Sequence, residues 1–200
     1  MNGKTATENR AVLGAGGAAA IALVVLGIFT KTAYKSVTAA ALMWSAASLS
    51  MIVMGVAFMA VRRRFKTPVA VVVAVLLFIK AVLVVFPLFV TREFPASMMV
   101  FLYHFKDAVN VLYMGMTAWV VFCGRVALGK GFSLPTAALL SLAALGLLIS
   151  HLLRQLNGSV PAFLAWTIIL STLLGFFGLG AGFIRLALKP GDEKGPADAA

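Results

Sequence analysis

Residues 37–66 read VTAAALMWSAASLSMIVMGVAFMAVRRRFK. No side chain from Val37 to Val61 is charged, and then Arg62, Arg63, Arg64 and Lys66 arrive together. An α-helix rises ~1.5 Å per residue, so the uncharged run alone crosses a hydrocarbon layer of ~30 Å. Apolar and polar positions do not alternate along it, which excludes a strand of a closed barrel. A helix satisfies its own backbone polar groups in lipid, and the basic block that ends it marks the cytoplasmic side.

Outward from that stretch the pattern repeats. Ala11 to Thr30 is an apolar run stopped by Lys31 and Lys35; it is too long for the core of a signal peptide and reads as an uncleaved first span. The third run opens with Thr67-Pro68, an N-cap followed by proline at the first helical position, and lasts to Val90. The hinge from Thr91 to Ala96 is short. The fourth run covers 97–124, the fifth 134–153 after Ser133-Leu-Pro135, and the sixth 160–185 after the turn signal Asn157-Gly-Ser159. Polar segments at 1–10 and 189–200 flank one membrane domain, and the second reads as a disordered tail. The expected fold class is all-α, with six transmembrane helices at about 11–30, 37–61, 68–90, 97–124, 134–153 and 160–185.

Composition agrees. The chain of 200 residues is 62% hydrophobic and 12% charged, with a mean hydropathy of +1.04, where a soluble domain carries about 25% charged residues. The net charge of +11 would suggest nucleic acid in a soluble protein. Here the basic residues stand at the ends of apolar runs, so they report topology, and nucleic acid is not an expected partner. Lys4, Arg10, Arg62, Arg63, Arg64, Lys66, Arg125, Lys130, Arg185, Lys189 and Lys194 fall on one side; Lys31, Lys35, Arg92 and Arg154 fall on the other. The positive-inside rule puts both termini in the cytoplasm. Short loops and the absence of processing signals point to a bacterial inner membrane. The single cysteine, Cys123, excludes an intrachain disulfide and a cysteine metal cluster.

Small residues show where helices should touch, because lipid offers no hydrophobic drive between spans. The first span holds Gly14 and Gly17; the sixth holds a Gly178-xxx-Gly182 pair. These two spans are expected to pack in their cytoplasmic halves, within a chain or between copies in a homo-oligomer.

Ionisable groups within the bilayer cost at least ~2.5 kcal/mol each and normally face a bundle interior. Lys80 lies ten residues before Val90 and Asp107 ten residues after Ser97. If both helices begin level at the hinge, each group is roughly 15 Å deep, and a Lys80–Asp107 ion pair near mid-membrane is expected. Helical spacing sets Tyr103, Asp107 and Asn110 on one face, with His104 one turn from Asp107. Lys106 points about 100° away from Asp107. Lys80, Tyr103, His104, Lys106, Asp107 and Asn110 therefore form the candidate binding site, on the third and fourth spans. Two lysines against one aspartate favour a small anionic solute.

These features suggest a small transporter or a subunit of a transport complex, without a cofactor or a resident metal. A second reading is a single-haem b-type cytochrome or electron-transfer subunit, with His104 and His151 as haem ligands from different spans. A third is an accessory subunit of a larger membrane complex. An enzyme is poorly supported: there is no nucleophile elbow, no H-E-x-x-H and no second intramembrane acid. Six spans in about 200 residues is similar to the size of the small substrate-capture subunits of vitamin transporters, a likeness of length and span count.

Overall fold

The computed structural model describes residues 3–33, 36–88 and 95–189. All regular elements among them are helical: α1 (Gly3–Ala33), α2 (Val37–Phe65), α3 (Val69–Val85), α4 (Ala96–Cys123), α5 (Arg125–Leu128), α6 (Lys130–Asn157) and α7 (Ala162–Leu188). A single 3₁₀ turn, Phe86–Leu88, extends α3. The windows Asn9–Phe29, Val37–Arg62, Lys130–Leu156 and Ala162–Leu188 are long and apolar enough to cross a membrane, whereas α3 is apolar but shorter. The chain is thus a helical membrane protein with at least four such helices.

Several element ends differ from the sequence reading, each for a local reason. The first helix does not wait for Ala11. Residues 3–10 join it, since Thr5 to Arg10 contains neither proline nor glycine to stop it. Pro68 sits at the N-cap of α3, one position earlier than expected, and no side chain caps that end. The α-helix stops at Val85 rather than Val90, because Pro87 has no N–H for the next turn. Four residues that read as a connection form α5, and Gly129, at φ +92°, redirects the chain into α6. Pro135 consequently lies inside α6 rather than at its start. Gly158, at φ +71°, caps α6 by donating to the Arg154 carbonyl at 3.2 Å. The expected tail beyond Lys189 lies outside the described residues.

The helices form a closed ring. Each long helix packs on the next, α1 on α2, α2 on α3, α3 on α4, α4 on α6 and α6 on α7, and α7 returns to α1. The seam between α3 and α4 is the thinnest of the six. Neighbours run antiparallel, so the bundle has two ends, named here for Lys66 and for Pro95. Large apolar side chains such as Leu49, Ile52, Val56 and Met59 on α2 and Trp166, Leu170, Leu174 and Phe177 on α7 are exposed at helical spacing. That outward apolar surface suits lipid and not water.

The closing contact between α1 and α7 is made by glycine. A Cβ on Gly17 would stand 2.6 Å from the Gly180 carbonyl, and one on Gly180 would stand 2.8 Å from the Gly17 carbonyl. Gly14 is looser, with its nearest neighbour the Ala187 methyl at 3.8 Å. Gly178 and Gly182 face elsewhere: Gly178 receives Thr136 of α6, and Gly182 receives Leu128 of α5 and Phe132 of α6. The contact is thus intrachain, and Gly180 replaces the Gly178–Gly182 pair in it.

Toward the Lys66 end the ring is filled. Phe58 of α2 and Phe183 of α7, both fully buried, meet edge to face at 5.2 Å across the interior. Tyr113 of α4 and Phe176 of α7 stack at 5.8 Å above them. Side chains at this end also tie helix termini together: Arg64 donates to the Leu186 carbonyl and Lys189 to the Ala127 carbonyl. Cations there complement the negative ends of α2 and α7.

Candidate functional site

The polar groups gather on α4, and they split between two of its faces. On the first, Asp107 Oδ2 lies 3.1 Å from His151 Nδ1 and 3.9 Å from Arg154 Nη1, both on α6. Asp107 and His151 are each 21% exposed, so the pair is shielded but not sealed. Arg154 also donates to the Tyr103 hydroxyl. Gln155, one turn beyond His151, approaches His151 Nε2 at 3.1 Å. The His104 ring stands perpendicular to that of His151 at 5.3 Å and to that of Tyr103 at 5.8 Å. The spacing 151, 154, 155 puts all three α6 side chains on one face.

The expected Lys80–Asp107 ion pair is not formed. Lys80 lies eleven residues beyond Val69, about 16 Å along α3 from the Lys66 end. Asp107 lies sixteen residues before Cys123, about 24 Å from the same end, while Tyr113 lies ten residues before it, about 15 Å. The depth match at the hinge fails because α3 stops short and α4 extends past it. Lys80 therefore meets Tyr113, with its ammonium 4.8 Å from the ring centroid. That is a cation–π contact, and Asp107 takes its partners from α6 instead.

Two more polar atoms lie deeper along α4. Asn110 Oδ1 and the Tyr113 hydroxyl are buried with no hydrogen-bond partner among the described residues. Asn110 follows Asp107 by three positions, whereas Tyr113 follows Lys106 by seven and turns onto Lys80 and Phe176. A buried oxygen without a partner is costly and is ordinarily satisfied by water or a ligand.

The other face of α4 carries Lys106. Its side chain lines a cavity of about 270 Å³ inside the ring, together with Leu23, Leu26, Trp44, Met51 and Leu83 of α1, α2 and α3. No acidic partner of Lys106 is found among the described residues. The cavity occupies the Pro95 half, above the aromatic filling of the Lys66 half. It is an apolar chamber with one cation, near the lower limit of the ~300–1,000 Å³ typical of drug-sized ligands.

All six sequence-derived site residues thus lie on or against α4, but not as one site. Tyr103, His104 and Asp107 meet α6; Asn110 is buried without a partner among the described residues; Lys106 lines the chamber; Lys80 sits below, on Tyr113. Sequence reading missed Arg154 and Gln155 and gave His151 another role. Their signal was present: an imidazole, a guanidinium and an amide at i, i+3 and i+4 near the end of an apolar helix.

His104 and His151 stand ring to ring at 5.3 Å, and both nitrogens of His151 have partners. No group of three potential metal ligands exists among the described residues. Comparison with known protein families, curated proteins and solved structures finds no match.

Proposed function

We propose that this chain is a six-span protein of a bacterial inner membrane that binds a small anion with an apolar body in the chamber between α1, α2, α3 and α4. It acts as a small transporter or as the solute-binding subunit of a transport complex. In this reading α3 with its 3₁₀ turn and α4 complete the six spans, and the Lys66 end faces the cytoplasm. The Lys and Arg distribution supports that orientation. It leaves the chamber nearer the outside and the Phe58–Phe183 contact as the inner barrier.

One observation carries the ligand class: Lys106 lines an apolar chamber and lacks an acidic partner among the described residues. A cation at the edge of an apolar chamber attracts an anion, and the Leu, Met and Trp walls favour an apolar remainder. Asp107 does not cancel Lys106, since His151 and Arg154 already hold its carboxylate.

The test uses benzenesulfonate and the uncharged benzyl alcohol as probes, with the chain in lipid nanodiscs. Trp44 reports on the chamber once Trp119 and Trp166 are replaced by Phe. Benzenesulfonate is expected to change its fluorescence saturably, and Lys106→Met to weaken that response at least tenfold. Equal responses to both probes, unchanged by Lys106→Met, defeat the reading. Uptake into proteoliposomes then separates a transporter from a capture subunit that needs partners.

A further inference from the structure

We propose that His151 and Asp107 form a proton-binding site whose loading is linked to anion binding at Lys106, so that a proton accompanies the solute. This rests on the anion-binding reading above.

The hydrogen-bond geometry around His151 accommodates both protonation states. With Gln155 donating its amide N–H to Nε2, the imidazole is neutral and Nδ1–H donates to Asp107. Adding a proton at Nε2 turns that nitrogen into a donor. Rotating the Gln155 amide then presents its oxygen, and every bond is kept. Asp107 Oδ2 accepts from Nδ1–H in both states. No electrons move; one proton passes from water at the Pro95 end to Nε2 and returns by the reverse step.

The charge change is what couples the two sites. Asp107 and Arg154 sum to zero, so the cluster is neutral when His151 is neutral and carries +1 when it is protonated. The other groups facing it are Tyr103 and His104 from α4 and Gln155 from α6 itself. Lys106 precedes Asp107 on α4, and Lys80 of α3 lies below at Tyr113. From α7, which also packs on α6, no ionisable side chain appears between Ala162 and Ile184. The protonated cluster therefore adds positive charge beside the chamber and strengthens anion binding. By linkage, a bound anion favours the proton equally.

Deeper along α4, Asn110 Oδ1 is buried without a hydrogen-bond partner among the described residues, three positions beyond Asp107. Such an oxygen is ordinarily satisfied by water or a ligand, which gives the proton site a depth that a surface histidine lacks.

The experiment measures benzenesulfonate affinity in nanodiscs from pH 5.5 to pH 8; as a strong acid the probe does not titrate there. Affinity is expected to be roughly tenfold higher at pH 5.5, within the 5–150-fold range of site couplings. His151→Gln should flatten the profile, His104→Gln should leave its slope, and Lys106→Met should weaken binding at least tenfold at every pH. A pH-indicator dye in weakly buffered wild-type samples should show proton uptake on probe binding, a readout that needs no variant. A flat wild-type profile without proton uptake overturns the proton link while leaving anion binding standing, as does an unchanged slope in His151→Gln. Absence of probe binding at any pH overturns both.

Discussion

His151 on α6 holds Asp107 on α4 at 3.1 Å, Nδ1 to Oδ2, across 44 positions of sequence. Arg154 approaches the same oxygen from 3.9 Å, so one carboxylate gathers two cation-capable groups from a neighbouring helix. This is the polar fastening of the α4–α6 seam. Asp107→Asn keeps the shape and loses the charge, and should lower stability by ~1.5–2 kcal/mol, the lower part of the range for hydrogen bonds to charged groups because the pair is partly exposed. Thermal or urea unfolding in micelles reads it. Arg154→Gln, at a longer and more exposed contact, should cost under ~1 kcal/mol.

Lys80 and Asp107 should behave as strangers. Combining Lys80→Met with Asp107→Asn is expected to give additive stability changes, within ~0.5 kcal/mol, because their partners differ. A coupling energy well above that would restore a direct ion pair. Tyr113→Leu, by contrast, should couple to Lys80→Met, since it removes the ring beneath the ammonium.

Gly17 and Gly14 lie one turn apart and should respond differently to the same methyl group. Gly17→Ala places carbon 2.6 Å from a backbone carbonyl on α7, which cannot rotate away. The helices must separate, at a cost of ~1–3 kcal/mol for overpacking. Gly14→Ala meets ordinary contact distance at Ala187 and should be tolerated. Comparing the two by unfolding in detergent decides whether the α1–α7 contact is as close as described.

Cysteine accessibility tests the orientation. In a Cys123→Ala background, Ser159→Cys should react with an impermeant maleimide in intact cells. Lys130→Cys should react only after the membrane is opened. Both positions are exposed and lie at opposite ends of the bundle. The reverse pattern inverts the assignment of sides, and labelling of both from outside removes the odd number of crossings between them.

The helical class was legible because it depends on long features: uncharged runs, basic stops and the Asn157-Gly158 turn survive errors of a few residues. Partner choice was not, because it depends on where helix ends stand relative to each other. Extending α3 to Val90 puts its Pro95-side end five residues beyond Val85, about 7 Å, enough to bring Lys80 level with Asp107. A short hinge singles out α3 as the neighbour of α4, but α6 also returns beside α4 after the four-residue α5. The residue types of the site could be read from the sequence; their division between two faces of α4 needed the bundle.

The glycine contact that closes the ring also sets a schedule. Gly17 is made early, and Gly180, the backbone it lies against, emerges 163 residues later. At ~5–20 residues per second of synthesis, α1 waits ~10–30 s before its final neighbour exists. During that interval its small-residue face is open to lipid or to any passing helix. A chaperone of membrane insertion, or a partner that shields that face, would therefore act on the newborn chain rather than on the finished bundle.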